Sequence, residues 1–160
     1  MPYIGAVALI IAAFMIWREY CLFLDAQLGL CRAYIRALSD LREKMKSYLT
    51  PINDWAREYD DGLLSECGFL GAIREGGGVK EAYLSSTMRD RLPEGADEKL
   101  ISLFSRLGGG YLEGEVESLD GAISGLAAIE LEASGERIKR KRAVGALIGA
   151  VVLGIVIMII

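Results

Sequence analysis

The sequence predicts an all-α membrane protein, an antiparallel helical bundle of about six helices between two terminal transmembrane helices. The first seventeen and the last eighteen residues contain no charged side chain, so every Lys, Arg, Asp and Glu lies between Arg18 and Arg142. Within that middle part, apolar residues recur at alternating steps of three and four, which is the spacing of one face of an α-helix. No stretch sustains the period-two alternation of a strand, so no sheet is expected.

The C-terminal apolar segment, residues 143–160, is predicted to be the second span. Its eighteen residues reach roughly 27 Å as a helix, close to the ~30 Å hydrocarbon core of a bilayer. A core helix of a soluble protein is the disfavoured alternative, because the segment has no polar face. A basic cluster immediately precedes it: Lys139, Arg140, Lys141 and Arg142. Such a cluster favours a cytoplasmic flank, and it is also a candidate surface for a partner or for anionic headgroups.

The N-terminal apolar segment, residues 2–17, is predicted to be the first span and would reach roughly 24 Å. Trp17 and Tyr20 are candidate interfacial anchors. A cleaved signal peptide is the alternative, but no basic residue precedes the apolar run; Arg18 follows it, which favours an external N-terminus. Gly145 and Gly149 form a small-x-x-x-small pair in the second segment and are candidates for close transmembrane packing.

The middle part, residues 18–142, is predicted to be one cytoplasmic helical bundle. Its first helix continues the first span as far as Leu49, and its last helix begins at Tyr111 and continues into the second span. Because both spans would enter from the same side, these two helices must lie side by side and antiparallel. Shorter helices are predicted between them, with proline or glycine at their ends, over residues 51–59, 63–74, 79–91 and 94–107.

Composition argues against several function classes. The net charge is −4 and histidine is absent, so the chain has neither the basic excess of a nucleic-acid-binding domain nor the commonest general base and metal ligand. The three cysteines, Cys21, Cys31 and Cys67, lack C-x-x-C spacing and are interpreted as buried structural thiols. The runs 76–78 and 108–110 do not match a phosphate-binding loop and are interpreted as helix stops. No catalytic, cofactor-binding or metal-ligating residue is predicted, and an enzyme is the least favoured class.

The sequence resembles the stage III sporulation protein AB family of endospore-forming bacteria over nearly its whole length. The resemblance is carried by several short stretches in order: 5–7, 38–43, 48–52, 104–108, 130–133 with Glu136, and the terminal segment that contains Gly145 and Gly149. In the family an aromatic-Gly-x-Thr-Pro-Leu stretch follows the first long helix. This chain has Tyr48-Leu49-Thr50-Pro51-Ile52 there, so that Leu49 stands where the family usually has glycine.

The resemblance implies a non-enzymatic component of the mother-cell-to-forespore channel in the outer forespore membrane. The family's soluble domain is similar to the cytoplasmic domains of the inner-membrane platform protein of type II secretion and type IV pilus systems. The implied role is a platform, facing the mother-cell cytoplasm, that couples a cognate sporulation secretion ATPase to the channel. Membrane lipid, the ATPase, other channel components and a second copy of the chain are the expected partners. A membrane-tethered regulator of a partner protein during development is the alternative.

Overall fold

A computed structural model describes residues 2–108 and 112–159, and within these ranges all regular structure is helical. Two long helices frame the chain: α1 over Pro2–Tyr48 and α7 over Leu112–Ile159. Between them lie five short α-helices and one 3₁₀ helix: α2 Ile52–Glu58, α3 Gly62–Glu66, α4 Phe69–Arg74, α5 Val79–Ser85, the 3₁₀ helix Arg89–Arg91, and α6 Ala96–Phe104. Both long helices cross the predicted domain boundaries at 17/18 and 142/143 without a break.

The two long helices pack against each other in an antiparallel pair. Three ion pairs join them at successive levels: Asp25 with Arg137, Arg32 with Glu130, and Arg42 with Asp120. From one pair to the next, the residue number rises on α1 by as much as it falls on α7. The two helices therefore keep one antiparallel register over this length. These pairs are partly exposed and contribute at most ~1 kcal/mol each. Burial of Leu119 and Leu126 provides the larger stabilisation of the pair.

A second buried face of α1 packs on the short helices. Tyr34 is 1% exposed and lies in an aromatic cluster with Phe69, Tyr83 and Phe104, whose ring centroids are 5.2–6.5 Å apart. The apolar residues that recur at steps of three and four along α1 include Leu28, which is buried, but they do not include Tyr34. The first helix is therefore buried on two sides, towards α7 and towards the short helices.

The predicted helix over 63–74 is wrong, because the chain forms two helices there. Gly68 has φ 84°, a left-handed conformation that no α-helix continues through. Asp61 begins α3 by accepting hydrogen bonds from the backbone N–H groups of Leu63 and Leu64. The Cys67 N–H donates to the Leu63 carbonyl at 3.0 Å, which ends α3 just before the glycine.

The predicted helix over 79–91 is also wrong, because α5 ends at Ser85. Ser86 is extended, and its hydroxyl donates to the carbonyl of Tyr83 at 2.7 Å. The Thr87 N–H then donates to the Cys67 carbonyl at 3.0 Å, which ties the chain back to α3. Serine side chains compete in this way for backbone groups and favour helix ends. Over residues 2–108 and 112–159 the chain consequently has seven α-helices and a 3₁₀ helix, where about six helices had been expected.

The turn between α1 and α2 contains a left-handed leucine. Leu49 has φ 53°, and its N–H donates to the carbonyl of Met45 at 3.2 Å. A left-handed residue just after a helix is normally glycine, because a β-carbon is strained there. The following helix is fastened to α1 by Trp55, whose indole N–H donates to Asp40 at 2.8 Å.

Among the described residues, one helix is long and apolar enough to cross a membrane. It lies at the start of α1, in the stretch from Val7 to Tyr48, where an 18-residue window has a mean hydropathy of 1.9 and is only 6% buried within the structure. Large apolar side chains stand exposed along it, among them Ile11, Phe14 and Ile16. An exposed apolar helix face of this length is typical of a segment that contacts a membrane.

Candidate functional site

The predicted basic cluster lies where α7 passes the part of α1 that follows its apolar N-terminal stretch. Lys141 donates to Asp25 Oδ1 at 2.9 Å, and Arg137, one turn earlier, reaches the same oxygen at 2.6 Å. Arg140 instead bonds along its own helix to Glu136 at 2.8 Å. Lys139 and Arg142 are exposed. The structure therefore directs Lys141 onto α1 and pairs Arg140 along α7, while Lys139 and Arg142 remain exposed at the surface.

Trp17 occupies the next level towards the apolar ends. Its indole nitrogen lies 3.7 Å from the position of a β-carbon built on Gly145, so the two helices approach closely at this point. That nitrogen is buried and has no hydrogen-bond partner within the part of the chain that the structure describes. Phe14 packs beside Trp17 with ring centroids 6.0 Å apart. A β-carbon built on Gly149 meets nothing within 4 Å, so the two predicted packing glycines have different surroundings.

A groove of about 560 Å³ opens below this level, between α1, α7 and the segment 92–94. Apolar side chains line it on both long helices, including Leu24, Leu28 and Ile129. Charged side chains also line it: Glu94, Glu132, Glu136, Arg137 and Arg140. An apolar surface with polar groups around it suits the binding of an apolar side chain that a partner inserts from the side.

A second cavity of about 460 Å³ lies between α6 and α7, towards the end of the bundle farther from Trp17. Lys99 and Arg106 contribute positive charge there, and Glu117 contributes negative charge. Lys99 lies across α7 at Gly125, where an added β-carbon would stand 3.0 Å from two of its side-chain carbons. The mixture of charges gives this cavity no preference for one sign of ligand.

Polar side chains on three short elements form a network beside the aromatic cluster. Asp97 accepts a hydrogen bond of 2.6 Å from the Tyr83 hydroxyl and two of 3.0 Å from Arg89. The Arg89 hydrogen bonds hold the pKa of Asp97 below its ordinary value. Burial, followed by the Asp97 bond and charge, raises the pKa of Tyr83. The network joins α5, the 3₁₀ helix and α6, and it is a structural fastening between them.

The buried thiol of Cys31 on α1 contacts the backbone of α7. Its Sγ lies 4.0 Å from the carbonyl oxygen of Leu126. Burial, and secondarily the charge of Glu130, raises its pKa to about 11. A thiol with a raised pKa is a poor nucleophile at neutral pH, and this one packs as a small apolar side chain.

The glycine run at 76–78 forms a helix end, as expected. Gly76 has φ 91°, and the Gly77 N–H donates to the carbonyl of Ala72 at 3.0 Å. The carboxylate of Glu81 lies over Gly78, so a negative charge occupies the place where a phosphate would have to approach. In the second run, Gly108 has φ 91°, and residues 109–110 lie outside the described residues.

Comparisons with protein families, with curated proteins and with solved structures find no match for this chain. The fold and the site therefore define a class only: an all-helical protein with an apolar, membrane-candidate N-terminal segment that continues into a bundle. Sequence reasoning missed Asp25 and the contact between Trp17 and Gly145. The sequence does contain a signal for such contacts. In an antiparallel helix pair, residues that lie at equal distances from the charged edges of the two apolar segments come to lie opposite each other.

Proposed function

We propose that this protein is a non-enzymatic membrane platform with two spans, residues 2–17 and 143–160, and a bundle on the cytoplasmic side. In this proposal it belongs to the mother-cell-to-forespore channel of sporulating bacteria, in the outer forespore membrane, and couples a cognate secretion-type ATPase to the channel. The soluble bundle is the coupling element, and the spans hold it against the bilayer.

The observation that carries the proposal is the continuity of both long helices. Each passes from an apolar segment into the bundle without a break, and the three ion pairs of Asp25, Arg32 and Arg42 hold the two at constant register. A flexible tether would serve an enzyme or a regulator equally well. A stiff, doubly anchored bundle is useful where a load must be passed from a soluble partner to the membrane.

The local structure at Leu49 supports the family on which the partner assignment rests. The resemblance places glycine at this position in most members, and here the residue adopts φ 53°, a conformation that favours glycine. The glycine that is usual in the family at this position would suit the left-handed conformation that Leu49 adopts in this chain. In this proposal, other channel components bind in the groove between α1, α7 and the segment 92–94.

Topology is tested with single cysteines in the full chain. The background carries Cys21→Ser, because Cys31 and Cys67 are buried. A cysteine in place of Pro2, one appended after Ile160, and Ser65→Cys in the bundle are labelled with a membrane-impermeant maleimide in intact vegetative cells that express the chain in the plasma membrane. We expect the two terminal cysteines to react from outside, and Ser65→Cys to react only after permeabilisation. Protection of the appended cysteine in intact cells would contradict two spans.

Coupling is tested by reconstituting the full chain in vesicles with the proposed cognate secretion-type ATPase. We expect the ATPase to float with vesicles that contain the chain and to sediment away from empty vesicles. Failure to associate when both proteins are present on one membrane would contradict the platform. A deletion strain that assembles a normal channel but mistimes gene expression would instead support a membrane-tethered regulator.

A further inference from the structure

The groove between α1, α7 and the segment 92–94 has the length of a short helix. Its lining along α7 extends from Ile129 to Arg140, which is roughly 16 Å or three helical turns. Leu24 and Leu28 line it from α1. Ile129 packs against the end of the segment, since its Cδ1 lies 3.7 Å from a β-carbon built on Gly95. An apolar groove of this length suits a helix whose apolar side chains recur at steps of three and four.

Two carboxylates of the groove have no charged partner of their own. Both arginines of the lining are engaged: Arg140 pairs with Glu136 at 2.8 Å, and Arg137 pairs with a carboxylate of α1 at 2.6 Å. The other two carboxylates, Glu94 and Glu132, are exposed and form no ion pair within residues 2–108 and 112–159. One belongs to the segment 92–94 and the other to α7, so unpaired negative charge lies on two sides of the apolar lining.

This charge distinguishes between the possible occupants of the groove. An anionic lipid headgroup would be repelled by Glu94 and Glu132. A wholly apolar occupant would cover the two carboxylates without giving them a partner, which is costly. A segment that carries Lys or Arg beside its apolar side chains would be attracted by both, because complementary charge favours association.

We propose that the groove binds a helical segment of another protein, with apolar side chains on one face and Lys or Arg beside them. Membrane-spanning proteins carry such cations on the cytoplasmic flanks of their spans. The inference rests on the proposed topology and gives the chemistry of the channel components that bind there. Leu24 follows Trp17 by seven residues, so the groove begins roughly 10 Å along α1 from the apolar stretch. The cytoplasmic flank of a neighbouring span would lie at this height.

Binding is tested with the full chain, one copy per nanodisc of phosphatidylcholine. The probe is a fluorescein-labelled peptide of about four helical turns, with leucine on one face and lysine on the other. Its anisotropy is measured, and binding to empty nanodiscs is subtracted. We expect the peptide to bind the parent chain, and the same peptide with glutamate in place of lysine to bind at least about tenfold more weakly.

The two unpaired carboxylates are tested by a double variant with a matched control. Glu94→Gln combined with Glu132→Gln should weaken binding of the lysine peptide about tenfold. Glu66→Gln combined with Glu75→Gln removes the same charge at exposed glutamates at the ends of α3 and α4, outside the groove, and should bind the peptide like the parent. Equal binding by the two double variants would show that only the overall negative charge attracts the peptide, and would overturn the proposal.

The position of the peptide is tested by photo-cross-linking. A benzophenone side chain replaces one leucine of the peptide, and mass spectrometry should locate its adducts within 24–28, 92–94 or 129–140. Adducts confined to other parts of the chain would contradict the groove as the site. Labelling of the groove by a photoactivatable phospholipid that the peptide does not displace would contradict it in favour of lipid.

The platform and the groove can fail separately. Peptide binding without flotation of the ATPase would leave the groove site standing and contradict the platform. Flotation of the ATPase without peptide binding would do the reverse. Reaction of Ser65→Cys from outside intact cells would place the bundle on the other side of the membrane and contradict a cytoplasmic flank as the natural occupant.

Discussion

The indole nitrogen of Trp17 lies 3.7 Å from the place that a β-carbon on Gly145 would take. This contact joins α1 and α7 at the level where the charged bundle gives way to the apolar segments. A methyl group at position 145 would make an ordinary van der Waals contact, whereas a larger side chain would displace the indole. The size of residue 145 therefore limits this contact, which lies at the edge of the two apolar segments.

Gly145→Leu should move Trp17 into the lipid. We expect lipid brominated near the headgroup to quench tryptophan fluorescence more strongly in the variant, because Trp55, the other tryptophan, is 2% exposed and far from the bilayer. The overpacking should also destabilise the chain by about 1–3 kcal/mol. Gly145→Ala is the control and should quench like the parent. Equal quenching in Gly145→Leu would show that the contact does not hold the indole.

Leu49→Gly should stabilise the protein. The left-handed conformation destabilises a residue with a β-carbon by ~1–2 kcal/mol, and glycine removes this strain. Glycine also loses more conformational entropy on folding, which cancels part of the gain. Leu49 is 69% exposed, so little burial is lost. We expect a net gain of about 0.5–1 kcal/mol, measured by thermal unfolding of the full chain in detergent. Leu49→Ala removes the same side chain and keeps the strain, so it should gain nothing.

Asp97→Asn should destabilise the bundle only above acidic pH. The pKa of Asp97 is lowered in the folded protein by the hydrogen bonds from Arg89. A carboxyl with a lowered folded pKa contributes stability above its unfolded pKa and loses it as pH falls through the folded pKa. Because the side chain is 38% exposed, we expect a difference of about 1 kcal/mol at pH 7. At a pH below the lowered folded pKa of Asp97 the two proteins should unfold alike; a difference that stays constant as the pH falls from 7 would contradict the assignment.

Cys31 should resist alkylation in the folded chain. Burial raises its pKa from 9.0 to about 11, which lowers the thiolate fraction at pH 8 about a hundredfold, and its 0% exposure restricts access further. Mass spectrometry after a timed pulse of iodoacetamide should find the half-buried Cys21 modified first. Denaturant should make Cys31 react at the rate of Cys21. Rapid modification of Cys31 without denaturant would show that α1 and α7 separate there.

The long helices were predictable because their pattern is strong and extends over many turns. Leu28, Leu119 and Leu126 are buried on the faces that the three-four spacing selects. The short helices were less predictable, because single backbone contacts end them. Gly68 and the bond from the Thr87 N–H to the Cys67 carbonyl depend on tertiary placement, and apolar spacing does not report such contacts.

The site was only partly predictable for a related reason. A run of four cations is visible in the sequence itself, and its neighbours on the same helix follow from the spacing of residues. Its partner on α1, Asp25, lies more than a hundred residues away in sequence and is selected by the register of two helices. The packing of Leu126 and its neighbours against α1 sets the register of the two helices. Residue spacing within one helix does not reveal how side chains of two helices pack together.

The unbroken course of α1 has a mechanical consequence. Its 47 residues make a rod roughly 70 Å long, of which the part beyond Trp17 carries the turn at Leu49 to about 45 Å from the end of the apolar N-terminal stretch. A push or twist applied at that distant turn would be transmitted along the rod, because the helix is unbroken from Pro2 to Tyr48. A partner bound at the tip would thereby gain leverage over the apolar stretch at the other end.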